Sequence, residues 1–137
     1  MKRIYSDINP DLLLVAIQRK NEITEDRSNI SPESEFLQAS SKNLHLGTSF
    51  APHKHKSLLR ESNITQEAWV FLSGKVAAQF WDIDDRIIYE TTLSGGDCAV
   101  VFRGGHSFQV LEDNTILYEF KLGPYFGQDK DKEFLER

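Results

Sequence analysis

The sequence predicts a mainly β protein, a small sandwich or closed barrel preceded by a short helix and an irregular arm. Three observations carry that expectation. From Glu67 onward, short apolar segments recur at regular spacing. They are separated by turn chemistry: Ser73-Gly74, Asp82-Ile83-Asp84-Asp85, Ser94-Gly95-Gly96-Asp97, Arg103-Gly104-Gly105 and Glu112-Asp113-Asn114. Helix signals gather in one place only, near the N-terminus. Short strands at even spacing with turns between them are the pattern of antiparallel sandwiches and barrels.

The elements follow in order. Asn9-Pro10-Asp11 suits a helix start, with Asn9 as cap and Pro10 in the first turn. Leu12, Leu13, Val15, Ala16 and Ile17 would supply its apolar face, and Arg19, Lys20 and Asn21 its end. Residues 21–34 are polar, with Pro32 among them, and read as an arm that packs on the barrel or reaches a second subunit. A strand region is expected over 35–49, interrupted near Ser40-Ser41-Lys42-Asn43. Further strands are expected over 67–72, 75–81, 86–93, 98–102, 106–111 and 115–122. The acidic residues between 81 and 86 form a hairpin tip, where their side chains can accept bonds from neighbouring backbone. The tail from Phe126 to Arg137 is highly charged and expected on the surface. The division is therefore 1–34 helix and arm, 35–125 barrel and 126–137 tail, within one domain.

Size and charge narrow the function classes. A chain of 137 residues fits one domain with its own core. The formal net charge of -5 argues against phosphate-backbone binding, so no nucleic-acid partner is expected. The longest apolar run, Leu12 to Ile17, is too short to span a bilayer, and no signal peptide is recognised, so no membrane partner is expected. The single cysteine, Cys98, precludes an internal disulfide and suits a reducing, cytoplasmic home. Among Ala99, Val100 and Val101, Cys98 reads as a core thiol. His45 has no partner at ligand spacing and reads as a structural histidine.

The chemistry concentrates in Gly47-Thr-Ser-Phe-Ala-Pro-His53-Lys-His55. Two histidines at i and i+2 on a strand would point the same way and reach one ion. Glu67 follows twelve residues after His55, and His106 comes after the next hairpin and a short strand. Three imidazoles and one carboxylate suit one divalent transition metal (Zn, Fe, Mn, Ni or Cu) better than Ca or Mg. Four protein ligands leave room for water or substrate at the ion.

These residues resemble the cupin superfamily. Its first motif runs G-x5-H-x-H, then E-x6-G, and Gly47, His53, His55, Glu67 and Gly74 match it. Of its second motif, Gly96, Gly104 and His106 match, while Phe102 stands for the usual Pro and Val110 for the final Asn. Tyr118-Glu-Phe-Lys-Leu-Gly-Pro-Tyr125 with Asp129-Lys-Asp-Lys is similar to the ending of WbuC-like cupin metalloproteins. Arg27-Ser-Asn29 and Gln38 resemble the arm of that family. The resemblance implies a cupin double-stranded β-helix, a small jelly-roll barrel. It implies a metal on His53, His55, Glu67 and His106, with Glu119, Lys121 and Tyr125 toward a substrate. It also implies a role in bacterial surface-polysaccharide metabolism on a sugar-derived or other oxygen-rich small molecule. Two alternatives stay open: a metal-independent sugar-nucleotide isomerase or epimerase using His53 or His55 as acid or base, and a non-catalytic ligand-binding or sensing module. Exposed sheet edges and the arm lead to the expectation of a homodimer.

Overall fold

A computed structural model describes residues 1–135, so the last two residues of the expected surface tail lie outside it. The chain is mainly β. In order, the strands are β1 (Lys2–Tyr5), β2 (Leu13–Gln18), β3 (Ser28–Asn29), β4 (Ser40–Ser41), β5 (Glu67–Ser73), β6 (Lys75–Trp81), β7 (Ile87–Ser94), β8 (Cys98–Val101), β9 (His106–Val110) and β10 (Ile116–Lys121). A 3-10 turn covers Lys20–Glu22, and a single helical turn, α1, covers Gln128–Asp131. No helix among the described residues is long and apolar enough to cross a membrane.

Two antiparallel sheets face each other. One has the order β1-β2-β8-β5-β10 and the other β7-β6-β9, while β3 and β4 pair apart from both. The expected closure into a barrel is not present in the hydrogen bonding, because no strand pairing joins the two large sheets. The space between them holds the main core: Ile4, Leu14, Val15, Ile17, Trp69, Phe71, Val76, Ala78, Phe80, Leu93, Ala99 and Val101. In β6 the alternation is regular, with Val76, Ala78 and Phe80 buried, as a strand with one face on the core requires.

The expected N-terminal helix is instead a strand. β2 pairs with β1 on one side and β8 on the other, and all six of its residues are buried. The reason lies in the run itself. Six consecutive apolar residues, Leu12 to Ile17, leave a helix no polar face, whereas a central strand covered on both sides accepts them. Asn9 and Pro10 belong to the β1–β2 turn, where Leu12 N–H donates to Asn9 O at 2.8 Å and Ser6 N–H to Leu12 O at 3.0 Å. The chain's first eighteen residues are thus part of the larger sheet rather than a helix packed on it.

Of residues 35–49, expected as an interrupted strand region, only Ser40–Ser41 is strand, so that stretch continues the irregular arm. Ile30, Leu37 and Ala39 cover the outer face of the larger sheet at Leu13, Ala16, Ala68, Val100 and Phe102, forming a second core. A buried polar clamp fastens the arm. Arg103 Nη1 donates to Glu35 Oε1 at 2.8 Å, and Gln66 accepts Leu37 N–H at 2.8 Å while donating to Glu35 Oε2 at 2.5 Å. The covering stops short of β10. Val70 and Ala68 lie opposite Tyr118 and Phe120 in register, yet Ile116, Tyr118, Phe120 and neighbouring Leu72 remain exposed.

Candidate metal and ligand site

The site is assembled where three strands meet at one end of the two-sheet stack. Glu67 opens β5, Lys121 closes β10 directly opposite it, and His106 opens β9 opposite Phe80. The inner face of β5 then runs Glu67, Trp69, Phe71, so the apolar core rises to a single buried carboxylate. Gly104 makes the turn into β9 possible. Its φ of +78° is left-handed, and the Trp81 carbonyl lies where a side chain would begin.

Glu67 is buried and well partnered. Its Oε1 accepts Trp69 Nε1–H at 2.6 Å and lies 3.4 Å from His106 Nε2. Burial raises the Glu67 carboxyl pKa, but the hydrogen bond and charge of His106, the Trp69 bond and the nearby Lys132 charge together leave it lowered. The His106 ring stands edge-on to Trp69, with centroids 5.2 Å apart. Its Nδ1 is buried without a hydrogen-bond partner among the described residues, an uncommon condition for a buried polar atom.

The two histidines expected on a strand are not on one. His53 and His55 lie in the strandless segment between β4 and β5, and both are exposed. Pro52 and the alternating Lys54 and Lys56 accompany them, and no neighbouring strand offers a ladder to this segment. The rings remain neighbours, with centroids 5.7 Å apart and nearly perpendicular planes. His53 Nδ1 is 2.9 Å from Ala51 O. The expected ligands therefore fall into two pairs, Glu67 with His106 and His53 with His55. No group of three or more possible ligands is gathered among the described residues.

The fit to a metal is accordingly half made. Two donor atoms held about 2.0–2.2 Å from one ion sit roughly 3 Å apart, close to the Glu67–His106 spacing of 3.4 Å. The His106 ring faces Glu67 through Nε2, and its other nitrogen, Nδ1, is left without a hydrogen-bond partner among the described residues. A four-ligand set would need the 49–66 segment to fold over onto that pair.

Of the residues expected toward substrate, Glu119 and Lys121 share the inner face of β10, Glu119 exposed and Lys121 half-buried. Lys121 Nζ lies 2.8 Å from Asp131 Oδ2 and 4.6 Å from the centroid of the Tyr125 ring. The Asp131 hydrogen bond is the main cause of a raised Lys121 pKa, opposed by a small desolvation. Sequence reasoning did not find Asp131, Lys132 or Leu135, which the returning tail brings to this end. Leu135 lies against Gly105 beside Trp81.

Elsewhere the chemistry is quiet. His45 is exposed, 3.6 Å from Asp26. Burial pushes the Cys98 thiol up to about 11, with help from the Asp97 charge, so it is a poor nucleophile at neutral pH. An open cleft of about 470 Å³ lies between the arm and residues 61–64. None of the expected site residues lines it. Its Arg103 and Glu35 are bonded to each other in the arm clamp. Compared with protein-family models, curated proteins and solved structures, the chain finds no match.

Proposed function

We propose that the protein is a cupin-type metal-binding protein with Glu67 and His106 as the fixed half of a metal site. His53 and His55, on the exposed segment 49–65, are the other half. The observation that supports this reading is the contact of a buried carboxylate with an imidazole nitrogen 3.4 Å away, in a ring whose other nitrogen has no partner among the described residues, where strand ends converge. A divalent transition metal would there polarise a carbonyl or hydroxyl of a bound ligand. The substrate class is a small sugar-derived or other oxygen-rich molecule, in line with the polysaccharide association of the WbuC-like cupins.

Elemental analysis after reconstitution with Zn, Mn, Fe(II), Ni or Cu tests the reading. About one equivalent of one of these metals per chain is expected. His106→Ala should weaken retention by at least about a hundredfold, since even outer partners of metal ligands cost 10–100-fold. His53→Ala and His55→Ala alter exposed positions and should weaken it with the fold intact. Wild-type protein that retains no metal would remove the proposal. In that event the Glu67–His106 pair itself favours metal-independent acid–base chemistry, but at His106, oriented by the buried carboxylate, rather than at His53 or His55 as the sequence alternative had it.

The bare outer face of β10 supports a homodimer. Ile116, Tyr118, Phe120 and Leu72 form an apolar edge that the chain's own arm leaves open, and such an edge invites a second copy. Light scattering should give twice the chain mass, and Tyr118→Glu should give the monomer. A monomeric wild type at micromolar concentration would contradict it.

A further inference from the structure

We propose that residues 126–135 form a strap that closes the candidate site with its own carboxylate, and that the site's ligand is a small anion that replaces Asp131 at Lys121. The proposal rests on the reading of this end of the stack as the ligand site. Lys121 is the last residue of β10 and faces Glu67 across the ladder. Its ammonium is bonded to Asp131 at 2.8 Å, and the two side chains are only 18% and 12% exposed. Ten residues separate them in the chain, so the tail must double back to make the bond. It does so through α1, and then runs on to place Leu135 against Gly105, next to His106 on the opposite side of the site. The strap thus touches β10 with a charge and the β8–β9 turn with an apolar side chain, and Glu67 and His106 lie between.

The strap is built to come away. Apart from Asp131, the residues of α1 are exposed, and one helical turn has no stability of its own. Phe126 and Phe134 are exposed. Gly127, just before α1, adopts φ +104° with open space around it, a backbone state other residues rarely take. That makes it the natural hinge. What replaces the strap is dictated by Lys121. A half-buried ammonium stripped of its partner is costly. Glu67 and Glu119 lie near enough to attract its charge, but the Glu67 Oε1 is taken by Trp69 and His106, and no hydrogen bond joins Lys121 to either carboxylate among the described residues. An incoming anionic oxygen, carboxylate or phosphate, restores the bonded pair, with the Tyr125 ring beside it.

Hydrogen exchange on the full chain tests this, with inorganic phosphate and succinate as probes and sodium chloride at matched ionic strength as control. Phosphate or succinate should speed exchange of the amides of residues 128–135 beyond the chloride control, and the more effective of the two identifies the anion type. Asp131→Asn should show fast exchange without any anion. It should also bind the effective anion about tenfold tighter, because the closed fraction no longer taxes affinity. Lys121→Gln should abolish the anion response. If neither anion exceeds chloride and Asp131→Asn binds neither more tightly, the proposal is overturned. Metal content measured on the same samples separates the two readings. Retained metal with an unresponsive strap defeats this inference alone, and a responsive strap without metal defeats the metal reading alone.

Discussion

Replacing Phe71 with alanine is expected to lower the unfolding free energy by about 3–5 kcal/mol, the cost of emptying a phenyl-sized volume from a packed core. Phe71 is fully buried at the middle of β5. Its ring meets Trp69 and Phe108 edge-to-face, with centroids 6.5 and 6.1 Å away, so one substitution also dissolves two aromatic pairs of about 0.5–1.5 kcal/mol each at most. Both sheets supply these neighbours: Trp69 shares β5 with Phe71, and Phe108 lies on β9. The cavity would open at the join of the two layers, where neither sheet can collapse without dragging its hydrogen-bonded partners. A small domain has only about 5–15 kcal/mol in all. Urea unfolding should show a much lower midpoint with an unchanged slope. Phe126→Ala, at an exposed position, should move stability by no more than about 0.5 kcal/mol. A Phe71→Ala loss below about 1 kcal/mol would mean that the sheets are not packed on each other as described.

The same packing explains which parts of the fold were legible. From β5 onward the sequence alternates or runs apolar between Gly and Asp turns, and the strands lie where that pattern puts them. Burial in β6 follows the alternation residue by residue. Two segments misled. In the N-terminal run, the Asn9-Pro10-Asp11 signal is a turn signal as much as a helix cap. The apolar stretch after it lacks a polar stripe because both faces of β2 are covered, one by the main core and one by the arm. That second cover comes from Ile30, Leu37 and Ala39, distant residues in an irregular segment, and periodicity does not register it. The His53-x-His55 spacing implied a strand only if a neighbour supplied a ladder, and none does. Of the candidate site, the shared face of Glu119 and Lys121 follows from strand alternation, whereas the meeting of Glu67 with His106 comes from the packing of two sheets on each other. Asp131 was hidden, because its closeness to Lys121 depends on the tail turning back after Pro124. Nothing in the spacing of Asp129-Lys-Asp-Lys encodes that return.

Asp82 offers the second large effect, and its sign with pH is fixed by its partners. The sequence marks it as one acid of a hairpin tip. In the fold it is almost fully buried, as is Ser6, and it bolts the β1–β2 turn to the β6–β7 hairpin. Its Oδ2 accepts Asp7 N–H and its Oδ1 accepts Ile83 N–H, each at 2.7 Å. Beside it, Ser6 Oγ accepts Ile8 and Asn9 N–H. Asp82→Ala orphans donors on both elements and should cost about 1–3 kcal/mol, the price of an unsatisfied buried polar group. Burial alone would raise the Asp82 pKa, but the Ser6 hydroxyl and the backbone N–H groups of Ile83, Asp7 and Ile8 leave it below its usual 3.8. A carboxyl more acidic in the folded chain than in the unfolded one stabilises fully above the unfolded value. That contribution fades as pH falls through 3.8 toward the folded value. Asp82→Asn keeps the size and removes the titration. Its stability deficit relative to wild type should be largest near neutral pH and shrink in acid, below about pH 4. Urea midpoints for the two proteins across that range provide the comparison. A deficit that stays constant down to about pH 3 would show that shape and hydrogen bonding, not the charge of Asp82, hold the two turns together.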